Sequence, residues 1–334
     1  EIIGNNVIVS ENAATDIGAS TIAGDASFTS TGNVTDSGTI AITGTTTINV
    51  GGNNITLNNG DGTYGTLQLL GNDVTVDENA ATDIGTSSVG GTLNIGSAGN
   101  ITDSGTITVA GTTTINAGAN NITLTDGDGT FGTLELTGND VTITENAATD
   151  IGASIIANTL AITSAGNITD SGTIAAASTV TLNAGSNNIT IDNGDGTFGT
   201  LELTGNTVAI TENASTDLGA STVAAGLSLV SAGNVTDSGT IAVTGTTTIN
   251  AGANNITIDN GDGTFGTLEL IGNTVAVTEN AATDIGNSTI AGDASFTSAG
   301  AVTDSGNISV ASDSSFQGTS ITLGSNTFNV GTLT

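Results

Sequence analysis

Apolar and polar residues alternate along this chain in short runs, of which Val141-Thr142-Ile143-Thr144, Leu160-Ala161-Ile162-Thr163 and Val180-Thr181-Leu182-Asn183 are typical. A period of two predicts β-strands that send Val, Ile and Leu to one side and Thr, Ser and Asn to the other. These three runs start 19 and then 20 residues apart, and the next copy, at Val208, follows after 28. No apolar stripe recurs at helical spacing beyond a turn or so. Strands of three to five residues with a turn every six or seven do not make a sandwich of long hairpins. They suit a β-solenoid, with about three strands per coil, for example Leu160 to Thr163, Asn167 to Thr169 and Thr173 to Ala175. The expected fold is all-β, a right-handed parallel β-helix, right-handedness being the rule for parallel strand connections.

The alternation is itself repeated. Glu-Asn-Ala-Ala-Thr-Asp-Ile-Gly begins at Glu11, Glu78, Glu145 and Glu279, with a close copy at Glu212, so the period is 67 residues. A fixed period of this size marks a stacked architecture in which each unit touches its neighbours. The units are residues 4–70, 71–137, 138–204, 205–271 and a divergent 272–334, expected to form one continuous solenoid over 1–334 with about three coils per repeat. The third coil carries the extra length as a protruding corner loop, Asp192 to Gly199, with equivalents at Asn58 to Gly65, Asp126 to Gly132 and Asp259 to Gly266. Its aromatic residue (Tyr64, Phe131, Phe198 or Phe265) is read as structural, against the alternative of a ring exposed for stacking on a sugar. The fifth unit departs from the pattern from Ser312 to Thr327. The first and last residues fall at nearly the same phase of the unit, which is expected of a window cut from a longer protein.

Composition narrows the function. There is no Lys, Arg or His among 334 residues, against 32 acidic ones, for a formal charge of −32. Nucleic acid, bound through cationic contacts to phosphate, is excluded as a partner, and anionic membrane surfaces are disfavoured. With 36% apolar residues in alternating runs, the chain is not a disordered acidic polymer. The 49 Gly and abundant Thr, Asn and Ser fit tight turns. There are no cysteines, and no run long enough to insert into a membrane.

Divalent cations are the natural counter-charge, and the acidic loops are the strongest chemical candidates. Asp61, Asp126, Asp128, Asp192, Asp195, Asp259 and Asp262 set carboxylates on Gly turns, hard oxygen donors that suit Ca2+. The EF-hand pattern fails at Thr137, where a bidentate Glu is needed, so an ordinary solvated turn is the competing reading. Asp36, Asp103, Asp170, Asp237 and Asp304 lie in Thr-Asp-Ser-Gly, where without a His or Lys base the serine is no nucleophile and Asp is expected to form a turn. Glu145 and Asp150 could pair for glycoside hydrolysis, but a pair copied in every repeat is expected to be surface rather than active site. The chain is therefore not expected to be an enzyme. Asn33, Asn100, Asn167 and Asn234, and Asn53-Asn54 with its copies, are expected to form amide ladders, with glycosylation of Asn-Ile-Thr as the alternative. Rows such as Thr246-Thr247-Thr248 are expected to face outward.

Two runs carry a family resemblance: Ser164-Ala165-Gly166-Asn167-Ile168-Thr169-Asp170-Ser171-Gly172-Thr173, and Val243-Thr244-Gly245-Thr246-Thr247-Thr248-Ile249-Asn250-Ala251-Gly252-Ala253-Asn254-Asn255-Ile256-Thr257. They resemble the repeats of giant secreted adhesins of the filamentous haemagglutinin type and related bacterial β-strand-repeat surface proteins. The resemblance covers essentially the whole chain. It implies a right-handed parallel β-helix, export to the cell surface, and a role in adhesion or matrix building. The expected function is a structural rod of an extracellular adhesin or biofilm matrix filament, partnered by itself, end to end or in fibres. The alternative is a calcium-dependent module that binds glycans or cell surfaces.

Overall fold

The computed structural model describes the backbone of residues 1–334 and the side chains of all but residues 127, 128, 195 and 262. The chain divides into two compact units, Glu1–Gly166 and Asn167–Thr334. Each is a parallel β-solenoid, and among the described residues there is no helix, so none that could cross a membrane.

In the first unit a turn consists of one five-residue strand and two three-residue strands: Val7–Glu11, Thr15–Ile17 and Ser20–Ile22, then Ala26–Ser30, Val34–Asp36 and Ile40–Ile42. The long strand forms one side of the coil and the two short ones, with a corner between them, form the other. Stacking is parallel and in register, Val7 on Ala26, Phe28 on Ile48 and Val34 on Ile55. Because side chains alternate, Ile17, Ile22, Phe28, Val34, Ile40 and Ile48 all point inward and lie essentially out of solvent. The core is therefore a column of aliphatic layers, each layer touching the ones before and after it.

The number of turns per repeat differs from the expected three. Val7 stacks on Ala26, Ala26 on Thr46, Thr46 on Leu67, Leu67 on Ile84 and Ile84 on Asp103, in steps of 19, 20, 21, 17 and 19 residues. Val74, the copy of Val7 one period on, is not in this column; it stacks on Ile55, on the opposite side of the coil. The 28-residue interval is thus not a longer coil. It is one turn followed by a change of side. A 67-residue repeat makes three and a half turns, and the strand Thr66–Gly71 marks the exchange, pairing with both short strands of the next repeat, Thr82–Ile84 and Ser87–Val89. The following repeat starts half a turn round from the one before.

The second unit repeats this arithmetic. Ile189 stacks on Val208, Val208 on Leu227, Leu227 on Thr247, Thr247 on Leu268 and Leu268 on Ile285, while Val275 falls on Ile256. Near its end the aliphatic layers give way to phenylalanines. Phe296 and Phe316 stack with ring centroids 5.6 Å apart, and Phe328 meets Phe316 at 5.8 Å.

Candidate functional site

The acidic segment of each repeat is not a loop thrown off a corner but a wide bulge inside a strand. In Ile55–Gly62 the residues Ile55, Thr56 and Leu57 pair with Val74, Thr75 and Val76, and pairing resumes only at Gly62, opposite Glu78. The same shift occurs between Leu124 and Gly129, between Ile191 and Gly196, and between Ile258 and Gly263. Extra residues on one strand leave their amides without ladder partners, so something else must hold them.

Two carboxyls do so. The first is the Thr-Asp-Ser-Gly aspartate of the preceding turn, which accepts from the amides that open the bulge. Asp36 takes the N–H of Asn58 at 3.1 Å and Asn59 at 3.4 Å, and Asp103 those of Thr125 at 2.9 Å and Asp126 at 3.2 Å. Asp170 takes Asp192 and Asp237 takes Asp259, both at 3.1 Å. In the fifth repeat Asp304 accepts from Gly324, Ser325 and Asn326. These aspartates do shape turns as expected, but the backbone they hold belongs largely to the next coil. Burial pushes the carboxyls of Asp36, Asp103, Asp170 and Asp237 above the usual range; the donated amides oppose this, and a neighbouring carboxylate (Asp61, Asp126, Asp192 or Asp259) adds to it.

The second carboxyl closes the bulge from inside. Glu78, Glu145, Glu212 and Glu279 are only 1 to 4% exposed. Each accepts the backbone N–H of the repeat's aromatic residue: Tyr64 at 2.9 Å, Phe131 at 2.8 Å, Phe198 at 2.9 Å and Phe265 at 2.8 Å. Glu212 also accepts from the hydroxyl of Thr216 at 2.7 Å. Burial pushes all four glutamates up, while the amide and the neighbouring Thr hydroxyl pull the other way. The expectation that Glu145 and Asp150 form a surface pair is corrected here. Glu145 belongs to the interior, and Asp150 accepts from the hydroxyl of Thr133 at 2.8 Å.

The aromatics lie inside, 1 to 8% exposed, so the structural reading of them holds and the sugar-stacking one does not. Their rings cover the second glycine of Gly-Asp-Gly. A Cβ on Gly62, Gly129, Gly196 or Gly263 would come within 2.2, 2.9, 2.6 or 2.9 Å of the ring two residues later. That contact is why the motif needs glycine there.

Of the candidate calcium ligands, Asp61, Asp126, Asp192 and Asp259 each stand near one partner carboxyl, the aspartate of the preceding turn. The side chains of Asp128, Asp195 and Asp262 lie outside the described residues. Asp61 accepts from the hydroxyl of Thr39. Among the described residues no group of three or more acidic side chains is placed to hold a metal ion.

The asparagines form the ladder expected of them. Asn33 accepts the N–H of Asn54, which in turn accepts those of Asp73 and the Asn72 amide; Asn100, Asn121, Asp140 and Asn139 repeat this in the next unit of sequence. The threonine row is only half as expected. Thr247 is buried with Thr46 and Thr113, and Thr46 donates to the carbonyl of Tyr64 at 2.6 Å. Alternation carries a signal for both missed groups. Thr46 precedes Ile48 by two, and Glu78 follows Val74 and Val76 in the inward phase, so the pattern places them inside even though their chemistry suggests the surface.

A family described as "Repeats of unknown function (DUF5649)" matches residues 4–68, 71–137, 138–204, 205–270 and 272–334. No curated protein and no solved structure matches the chain. With nearly every residue inside one of five tandem matches, the chain belongs to the family of repeats of unknown function DUF5649.

Proposed function

We propose that the chain is a load-carrying segment of an extracellular adhesin or matrix filament, of the kind its resemblance to filamentous haemagglutinin-type repeats implies. The observation that supports this most is the use to which the recurring polar side chains are put. The Thr-Asp-Ser-Gly aspartates, the buried glutamates, the asparagine ladder and the inward threonines all bond one coil to the next or close the bulge within it. Chemistry that is spent on cohesion in every repeat is what a structural element needs, and no catalysis is part of this reading. The remaining surface is Thr, Ser, Asn and carboxylate, hydrated and strongly anionic. In this reading its partners are further copies of the same stack and the surfaces to which it attaches. Antibody raised against the purified chain should label unpermeabilised producing cells or their matrix in immunoelectron microscopy. Label found only after permeabilisation would sink the proposal.

A second reading is favoured by the carboxyl pairs such as Asp103 and Asp126, one per bulge. In it, Ca2+ on the bulges mediates binding to glycans or cell surfaces. Titration calorimetry with CaCl2, and melts with and without EGTA, test it. Heats indistinguishable from dilution together with an unchanged melt would leave only the structural reading.

A further inference from the structure

Three Asn-Gly dipeptides occur in the chain, Asn59-Gly60, Asn193-Gly194 and Asn260-Gly261, and all three lie in the acidic bulges. Each of these asparagines is exposed. Each glycine has a left-handed backbone, with φ of 75°, 76° and 79°. In all three the dipeptide falls between the last paired residue (Leu57, Ile191 or Ile258) and the glycine at which pairing resumes, so it stands off the ladder to the next strand. No hydrogen bond to the side-chain amide of these three is present among the described residues. The second repeat has Asp126 at this position.

We propose that Asn59, Asn193 and Asn260 are sites of spontaneous conversion of amide to carboxylate in the folded protein. The main-chain nitrogen of the following glycine attacks the side-chain carbonyl carbon, forming a new C–N bond and a five-membered imide. The C–N bond of the amide breaks and ammonia leaves with the displaced proton. Water then opens the imide at either carbonyl, giving aspartate or isoaspartate. One water is consumed and one ammonia released, with no change in oxidation state. Glycine is the residue that allows this, because it has no Cβ to obstruct ring closure and moves freely at positive φ.

The other asparagines supply the contrast. Asn33, Asn54, Asn100 and Asn121 are followed by Val or Ile, and their side-chain oxygens accept hydrogen bonds from the next coil. A β-branched neighbour and a tethered amide both oppose the attack. Selectivity thus follows from the bulge, where a ladder interruption, an exposed amide and a glycine coincide.

Three conversions take the formal charge from −32 to −35. They place a new carboxylate beside Asp36, Asp170 and Asp237, as Asp126 already stands beside Asp103. The first, third and fourth bulges thereby come to carry the charge that the second has from the start, and the chain records its age as surface charge.

The test is to hold the folded chain at pH 8.5 and 37 °C for days, digest it and map it by mass spectrometry, with parallel samples at pH 6 and in urea. The expected result is a gain of a single mass unit at Asn59, Asn193 and Asn260, with aspartate and isoaspartate both present, faster at pH 8.5 than at pH 6. The folded chain should convert at a rate comparable to the unfolded one. Ion exchange should resolve up to three added charges, and these should be absent from the triple variant N59Q/N193Q/N260Q. Conversion in urea without conversion in the folded chain would overturn the proposal, as would conversion spread over the ladder asparagines. Both outcomes are read on the natural sequence, so they stand even if the triple variant folds poorly.

Discussion

A glutamate buried in a chain with no Lys, Arg or His cannot be neutralised by an ion pair, so Glu145 must be held by neutral donors or by a proton of its own. Its charge and its acceptor are separable. Glu145→Gln keeps an oxygen for the Phe131 amide and removes the charge, so the urea midpoint at pH 7.5 is expected to stay level or rise. Glu145→Ala leaves that amide buried without a partner and is expected to cost about 1–3 kcal/mol. Equal losses for the two variants would mean that the charged form is the stabilising one. The neighbouring layers behave more simply. Ile143 is fully buried, and Ile143→Ala should cost about 2–5 kcal/mol, read from the same denaturation curves.

At the scale of the strand, the bulge is a device in which a glycine, an aromatic and a glutamate are mutually required. Gly196→Ala drives a methyl into the ring of Phe198 and is expected to destabilise by about 1–3 kcal/mol. In G196A/F198A the obstructing ring is gone, so the double variant should lose less than the two single losses combined; strict additivity would show that the contact does not matter. Much of this element is legible in sequence. Alternation locates the strands, and the three strands per coil read from Leu160 to Ala175 match the observed Leu160–Ser164, Ile168–Asp170 and Ile174–Ala176 closely. The bulge was visible only as extra length. A run such as Asp192-Asn193-Gly194-Asp195-Gly196 reads equally well as a loop, because nothing local says that pairing resumes on its far side. The inward Glu was hidden by chemistry: a carboxylate signals surface unless the phase of the surrounding Val and Ile is given precedence.

At the scale of the molecule, the buried carboxyls set the response to pH. Asp36, Asp103, Asp170, Asp237, Glu78, Glu145, Glu212 and Glu279 all have folded pKa values raised above those of the unfolded chain, chiefly by burial. A group raised in this way holds its proton more tightly when folded. Its contribution is fully present below the unfolded values of 3.8 for Asp and 4.5 for Glu, and is lost as the pH climbs through the folded ones. The protein should therefore melt at a higher temperature at pH 5 than at pH 8, the reverse of ordinary acid denaturation. Repulsion among 32 acidic side chains acts in the same direction, and added NaCl at pH 8 should recover part of the difference by screening it. A melting temperature that falls from pH 8 to pH 5 would show that the hydrogen bonds to these carboxylates outweigh their burial. The register of stacking was the part least legible in sequence. Matching Val141, Leu160, Val180 and Val208 as like strands suggested that like must lie on like, yet Val208 stacks on Ile189.

That half-turn offset makes repeat number a matter of parity. A recombination event that adds or removes one 67-residue unit would turn everything beyond it to the opposite side of the stack, whereas a change of two would leave its facing as before. Copy-number variation in such an array would alter which way a distal feature looks as well as how far away it stands, and only even changes would be silent in direction.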